Sequence, residues 1–181
     1  MIDNYDKNDK LPSDSNDTTE ISDDYLAQFP VTLRKCFEND EDSRKNFAEE
    51  IVEKYDEVLV YRAVMYSDKI LSKDFLGNAE KYDLDGQKYS KRWAKKYKNH
   101  SVSVNESVEE LIEKTKFPNN HITGIAKGYM KCKYGPADFE RHKTHHNWYL
   151  FDGANEKVCK EFDIDREITD RATTAQLNKT N

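Results

Sequence analysis

The stretch HITGIAKGYMKCK, residues 121–133, sets Ile122, Gly124, Ala126, Gly128, Met130 and Cys132 on one parity and Thr123, Ile125, Lys127, Tyr129, Lys131 and Lys133 on the other. Small and apolar residues thus face one way and cations the other, the period-2 pattern of a strand with one buried face. A second strand is expected in EVLVYRAV, rich in β-branched residues and too apolar on both faces for an exposed edge. SVSVN reads as a short third strand, and HNWYLF, ending at the turn Asp152-Gly153, as another. YGPADFERHKTH between them reads as a loop.

Helical spacing frames these strands. In DSRKNFAEEIVEKY, Phe47, Ile51 and Tyr55 recur every four residues and predict one apolar helix face. SVEELIEK carries Ser107 and Glu110 at capping-box spacing, with Val108, Leu111 and Ile112 as the buried side, and FPNN follows as a turn. The expected class is α+β: helices on one side of a small, mostly antiparallel sheet.

Charge divides the chain. Residues 1–30 hold eight acids and two lysines, a net −6, and the whole chain of 181 residues is also −6. Residues 1–24 have too few apolar groups to offset the entropy of ordering and are expected to form a disordered acidic tail. A single domain is expected over 25–165, and 166–181 as a polar tail or short helix. Three scattered cysteines, Cys36, Cys132 and Cys159, favour a reducing compartment over a disulfide framework. No apolar run is long enough for a membrane span and the N-terminus lacks a signal-peptide pattern, so a cytoplasmic protein without membrane contact is expected.

Two stretches carry candidate chemistry. QKYSKRWAKKYK, residues 87–98, has six cations and no acid: Lys88, Lys91, Arg92, Lys95, Lys96 and Lys98 flank the helical stripe Tyr89, Trp93 and Tyr97. Such a helix packs its aromatics on a core or offers them to unpaired bases, while its cations attract phosphate or an acidic protein surface. The acidic tail, of opposite sign, is expected to fold over it.

ERHKTHHNWYLF, residues 140–151, puts three of the five histidines into five positions. Strand parity sends His145 and His146 to opposite faces, whereas His142 and His145 can converge if the loop turns helically. A zinc site using Cys132 matches no zinc module, so no metal or cofactor is expected. As acid and base, His142 with His145 or His146, beside Lys127, Lys131 and Arg141 for phosphate, would suit metal-independent RNA cleavage. Histidines of a surface loop are the alternative.

Arg62 within VYRAV, the strand SVS (Ser101 to Ser103) leading into a helix, and ITGIAKG together resemble the order of elements in Arg-Ser-Glu type ADP-ribosyltransferases, over residues 58–128. The resemblance implies that Arg62 and the Ser-x-Ser strand help hold NAD. The family's glutamate lacks its Glu-x-Glu setting here; Glu140 and Glu156 are only loosely placed. No Gly-rich phosphate loop, Gly-x-Ser-x-Gly elbow or His-Glu-x-x-His helix occurs. In size and character the chain resembles the small inhibitors and effectors of phages and mobile elements, anti-CRISPR proteins among them. The first expectation is therefore action on RNA or an RNA–protein machine, by cleavage in its catalytic form. The alternatives are a binding-only inhibitor of a nucleic-acid-handling protein, and a degenerate or active NAD-binding domain.

Overall fold

A computed structural model describes residues 21–86, 96–139 and 144–180. Seven strands form one antiparallel sheet: β1 (Ile51–Val52), β2 (Val58–Val64), β3 (Val102–Asn105), β4 (Gly124–Met130), β5 (Ala137–Phe139), β6 (His145–Trp148) and β7 (Asp163–Ile164). Their lateral order is β1-β5-β6-β3-β2-β4-β7. The α+β class is as the sequence indicates.

Helices α1 (Asp23–Leu26), α2 (Val31–Asn39) and α3 (Glu41–Glu50) cover the β1–β5–β6 end of one sheet face. There Phe29, Leu33, Phe37 and Phe47 enclose Tyr97 and Tyr149. On the same face, α5 (Val108–Thr115) and α7 (Arg166–Thr180) cover the β2–β4 end, where Val108, Leu111 and Ala172 pack on Ile125 and Ala63. The opposite face carries the largest core, with Val60, Val64, Val104, Met130 and Trp148. It is roofed by the turn Ser72–Phe75 and helix α6 (Asn155–Val158). Helix α4 (Asn78–Leu84) follows that turn.

The alternation of β4 is realised from Ala126 onward: Ala126, Gly128 and Met130 are buried while Lys127 and Tyr129 are exposed, whereas Ile125, of the same parity as Lys127, is buried with Gly124. Gly128 lies against the Phe162 ring, which a Cβ there would strike. Ser107 caps α5, its hydroxyl accepting from the Glu110 amide at 3.2 Å, but Glu110 does not reach back. Its carboxylate instead accepts from Thr144 at 2.8 Å.

Three local expectations change. Helix α3 ends at Glu50, because Ile51 and Val52 leave the helix to pair with Asp138 and Ala137. The 134–145 stretch contains strand β5, which completes β6 from the outside. Residues 166–180 form one fifteen-residue helix, docked through Thr169, whose hydroxyl accepts from the Ile125 amide at 3.1 Å. Of the expected acidic tail, residues 1–20 lie outside the described residues, whereas Ile21 is buried and Ser22 caps α1.

Candidate functional site

The sheet has a seam at its centre. Strands β2 and β3 share a single registered pair, Tyr61 with Asn105. Beside it Arg62 takes over from the ladder: Nη1 donates to the Ser103 carbonyl, while Nε and Nη2 donate to the Asp74 carbonyl at 3.1 and 2.9 Å. The Asp74 carboxylate is turned elsewhere, accepting from the Met65 and Leu71 amides at 3.1 and 2.9 Å. Arg62 is thus locked by main-chain carbonyls rather than paired with an acid side chain.

Burial pushes the Arg62 guanidinium down to about 10, with the Asp74 charge opposing the shift. Lys81, on α4, is pushed down to about 7, first by burial and then by the Arg62 charge; Lys73 acts in the same direction. Asp74 and Glu80 pull the other way. Among the described residues, no carboxylate lies within ion-pair distance of Arg62, Lys73 or Lys81. Arg62, fixed by its carbonyl partners, and the half-buried Lys73 and Lys81, none of them in an ion pair among the described residues, are chemically suited to an anion, above all a phosphate chain.

The histidines separate as strand parity requires. His146 is 2% exposed, with its ring against Phe139, and its Nε2 meets Glu106 Oε1 at 2.6 Å. Its Nδ1 is buried without a partner among the described residues. His145 lies on the other face, in one cross-strand row with Asn105, Tyr61 and Lys127. Three strand spacings, about 14 Å, separate His145 from Lys127. Lys131 is tied to Glu161 at 2.9 Å and Glu57 at 3.6 Å. Glu161 is in turn held down to about 2 by hydrogen bonds from Tyr134, Lys131 and Lys133. His142 and Arg141 lie outside the described residues. The described members of the proposed acid–base set are therefore not brought to one point, and no group of three His, Cys, Asp or Glu among the described residues is arranged to hold a metal.

Of the basic stretch, Lys88, Tyr89, Lys91, Arg92, Trp93 and Lys95 lie outside the described residues. Lys96 is exposed. Tyr97 is core, its hydroxyl donating to Glu50 at 2.5 Å. Lys98 bridges Glu50 at 2.8 Å and Asp138 at 3.1 Å. Burial opposes its charge, yet hydrogen bonds to those two acids keep its pKa above the ordinary lysine value. Asp138 also accepts from Asn147, which accepts from Ser101, so Lys98 anchors a polar chain across the sheet.

Sequence reasoning did not single out Asp74, Lys81 or Glu106. NAEKYDL shows no more than a short helix, and only the tertiary fold brings Lys81 to Arg62. No helix among the described residues is long and apolar enough to cross a membrane. Comparison with family models, curated proteins and solved structures finds no match to this chain.

Proposed function

We propose that the protein binds a pyrophosphate-bearing nucleotide of the NAD type at the seam between β2 and β3. The observation that carries this reading is the cationic cluster of Arg62, Lys73 and Lys81, without ion pairs among the described residues. Mutual repulsion between these charges is relieved by an anion that bridges them, and the interaction gains strength where water is partly excluded. Arg62 contacts the Ser-x-Ser strand, the two parts to which the ADP-ribosyltransferase resemblance assigns NAD. The reading is one of binding rather than transfer. Glu140 is outside the described residues, Glu156 sits in α6, and Glu106 is committed to His146.

Thermal melting with NAD, ADP-ribose and inorganic pyrophosphate tests it. A ligand at a hundred times its Kd adds about 2.7 kcal/mol to stability, which moves the melting temperature by several degrees. Arg62→Lys keeps the charge but loses the fork that spans two carbonyls, and should lose most of the NAD-dependent shift while circular dichroism confirms the fold. If none of the three ligands moves the wild-type melt, the seam does not bind a nucleotide.

The exposed sheet face favours a second reading, contact with RNA or a ribonucleoprotein without cleavage. Leu59 and Tyr129 are cross-strand neighbours at 38% and 47% exposure, and Lys127 stands 5.9 Å from the Tyr61 ring centre. Stacked bases suit those rings. Charge fits less well, since Lys127 pairs in register with Asp163 and Lys131 is held by Glu57 and Glu161. End-labelled RNAs incubated with and without EDTA should be bound but left intact. A His142/His145/His146 triple alanine should bind them as the wild type does. EDTA-resistant cutting that the triple variant abolishes would instead assign the cluster to ribonuclease chemistry.

A further inference from the structure

A second polar site uses the residue before Lys81 on α4, Glu80, and rests on its own contacts. Glu80 and His100 have side chains only 10% and 1% exposed, and His100 Nδ1 lies 3.2 Å from Glu80 Oε1. The same oxygen accepts from the Thr32 hydroxyl at 2.5 Å. Three distant segments, α2, α4 and the Tyr97–His100 turn, thus converge on a single carboxylate oxygen. The other oxygen, Oε2, receives no hydrogen bond among the described residues, and Glu80 lines a cavity of about 80 Å³.

Phe75, Leu76, Val102, Leu150 and Phe151 form the apolar walls of that cavity, and His100, Asn155 and the exposed Asp152 line it as well. Gly77 is needed for the carboxylate to lie where it does, because a methyl group there would collide with Glu80 Oε2 and with the His100 carbonyl. With Oε1 engaged by Thr32 and His100, Oε2 is the oxygen left to accept from a donor or cation entering the cavity.

We propose that this cavity binds a primary alkylammonium group, the amine end of a lysine side chain or of an alkyl polyamine. Three features select that chemistry. A metal ion would need further ligands, and no group of three His, Cys, Asp or Glu among the described residues is arranged to hold one. A guanidinium binds best through two parallel bonds to both carboxylate oxygens, and Oε1 is already occupied. An ammonium needs only one charged acceptor. Its methylene stem suits the apolar walls.

The test is calorimetric titration of the full chain with n-butylamine, n-butylguanidine and n-butanol in an amine-free buffer at pH 7. Saturable binding is expected for the amine, at least about tenfold tighter than for the guanidine, a difference of about 1.4 kcal/mol. Glu80→Gln should lose it, with circular dichroism and melting used to confirm that the variant folds. Leu76→Phe, which narrows the cavity and leaves Glu80 in place, should lose it as well. Thr32→Val, which removes one of the two groups on Oε1, should improve binding of the guanidine. Comparing 1,5-diaminopentane with Nα-acetyl-lysine amide names the source by the tighter ligand. Absence of saturable amine binding by the wild type, or equal binding by wild type and folded Glu80→Gln, overturns the proposal. Neither result bears on NAD at the seam.

Discussion

Phe47→Ala should destabilise the protein by about 3–5 kcal/mol, the range for deleting a fully buried aromatic ring. Phe47 is 0% exposed and is the hub of the helical layer. Its ring centre lies 5.6 Å from Phe29, 5.0 Å from Phe37, 5.9 Å from Tyr97 and 4.9 Å from Tyr149. Most of these contacts are edge-to-face, the arrangement in which aromatic pairs gain beyond the area they bury. No neighbour can easily fill the void, because Tyr97 is pinned through its hydroxyl to Glu50 and Tyr149 belongs to the segment that continues β6. Urea unfolding followed by circular dichroism measures the loss. A loss below about 1 kcal/mol would mean that α2 and α3 are not part of the cooperative unit, since a core truncation within it cannot be that cheap.

What could be read in the chain, and what could not, follows from the range of the interactions. The alternation of 121–133 is local, and it correctly exposes Lys127 and Tyr129. Parity likewise sends His145 and His146 to opposite faces, as their partners Asn105 and Val104 show. The four-residue spacing of Phe47, Ile51 and Tyr55 misleads because only Phe47 is helical: Ile51 packs on the same layer from a strand, and Tyr55 packs elsewhere. Phe47 enters the helical layer, Ile51 packs against it while its backbone pairs with Asp138, and Tyr55 packs edge-on to Phe139 while donating to the Gly135 carbonyl at 2.9 Å. Strand β5 is invisible for a related reason. Ala137–Phe139 has no pattern of its own and is extended because His146–Trp148 offers it a ladder. The candidate site is still less local. Arg62 could be placed on a strand from sequence, but its carbonyl partners are twelve and forty-one residues away, and the Lys81 charge it acts on belongs to another element. A buried arginine ordinarily pairs with an acid side chain. In the fold the backbone amides claim the acid and backbone carbonyls claim the arginine, so both are satisfied without neutralising each other.

The Lys81 charge, which forms no ion pair among the described residues, has a consequence with a definite sign. Lys81 titrates at about 7 in the free protein, well below an ordinary lysine, because it is buried and faces Arg62. An anion at the seam favours the charged form, so binding near neutrality takes up a proton. Affinity for ADP-ribose, whose phosphates remain ionised throughout, should therefore be flat below pH 7 and fall by up to about tenfold per pH unit above it. Stability of the unliganded protein should move the opposite way. Between about 7 and the ordinary lysine value the unfolded chain holds the proton and the folded one does not, so stability rises with pH across that window. Lys81→Met should abolish both slopes, weaken ADP-ribose at pH 6, and stabilise the free protein there by removing a buried charge from beside Arg62. Titration calorimetry at pH 6, 7, 8 and 9 gives the first slope and chemical denaturation over the same range the second. A group acting only on the fold would tilt stability and leave affinity level. A group acting only on the ligand would do the reverse. Opposite slopes lost together in one variant single out a lysine that the fold leaves without an ion pair and the ligand completes.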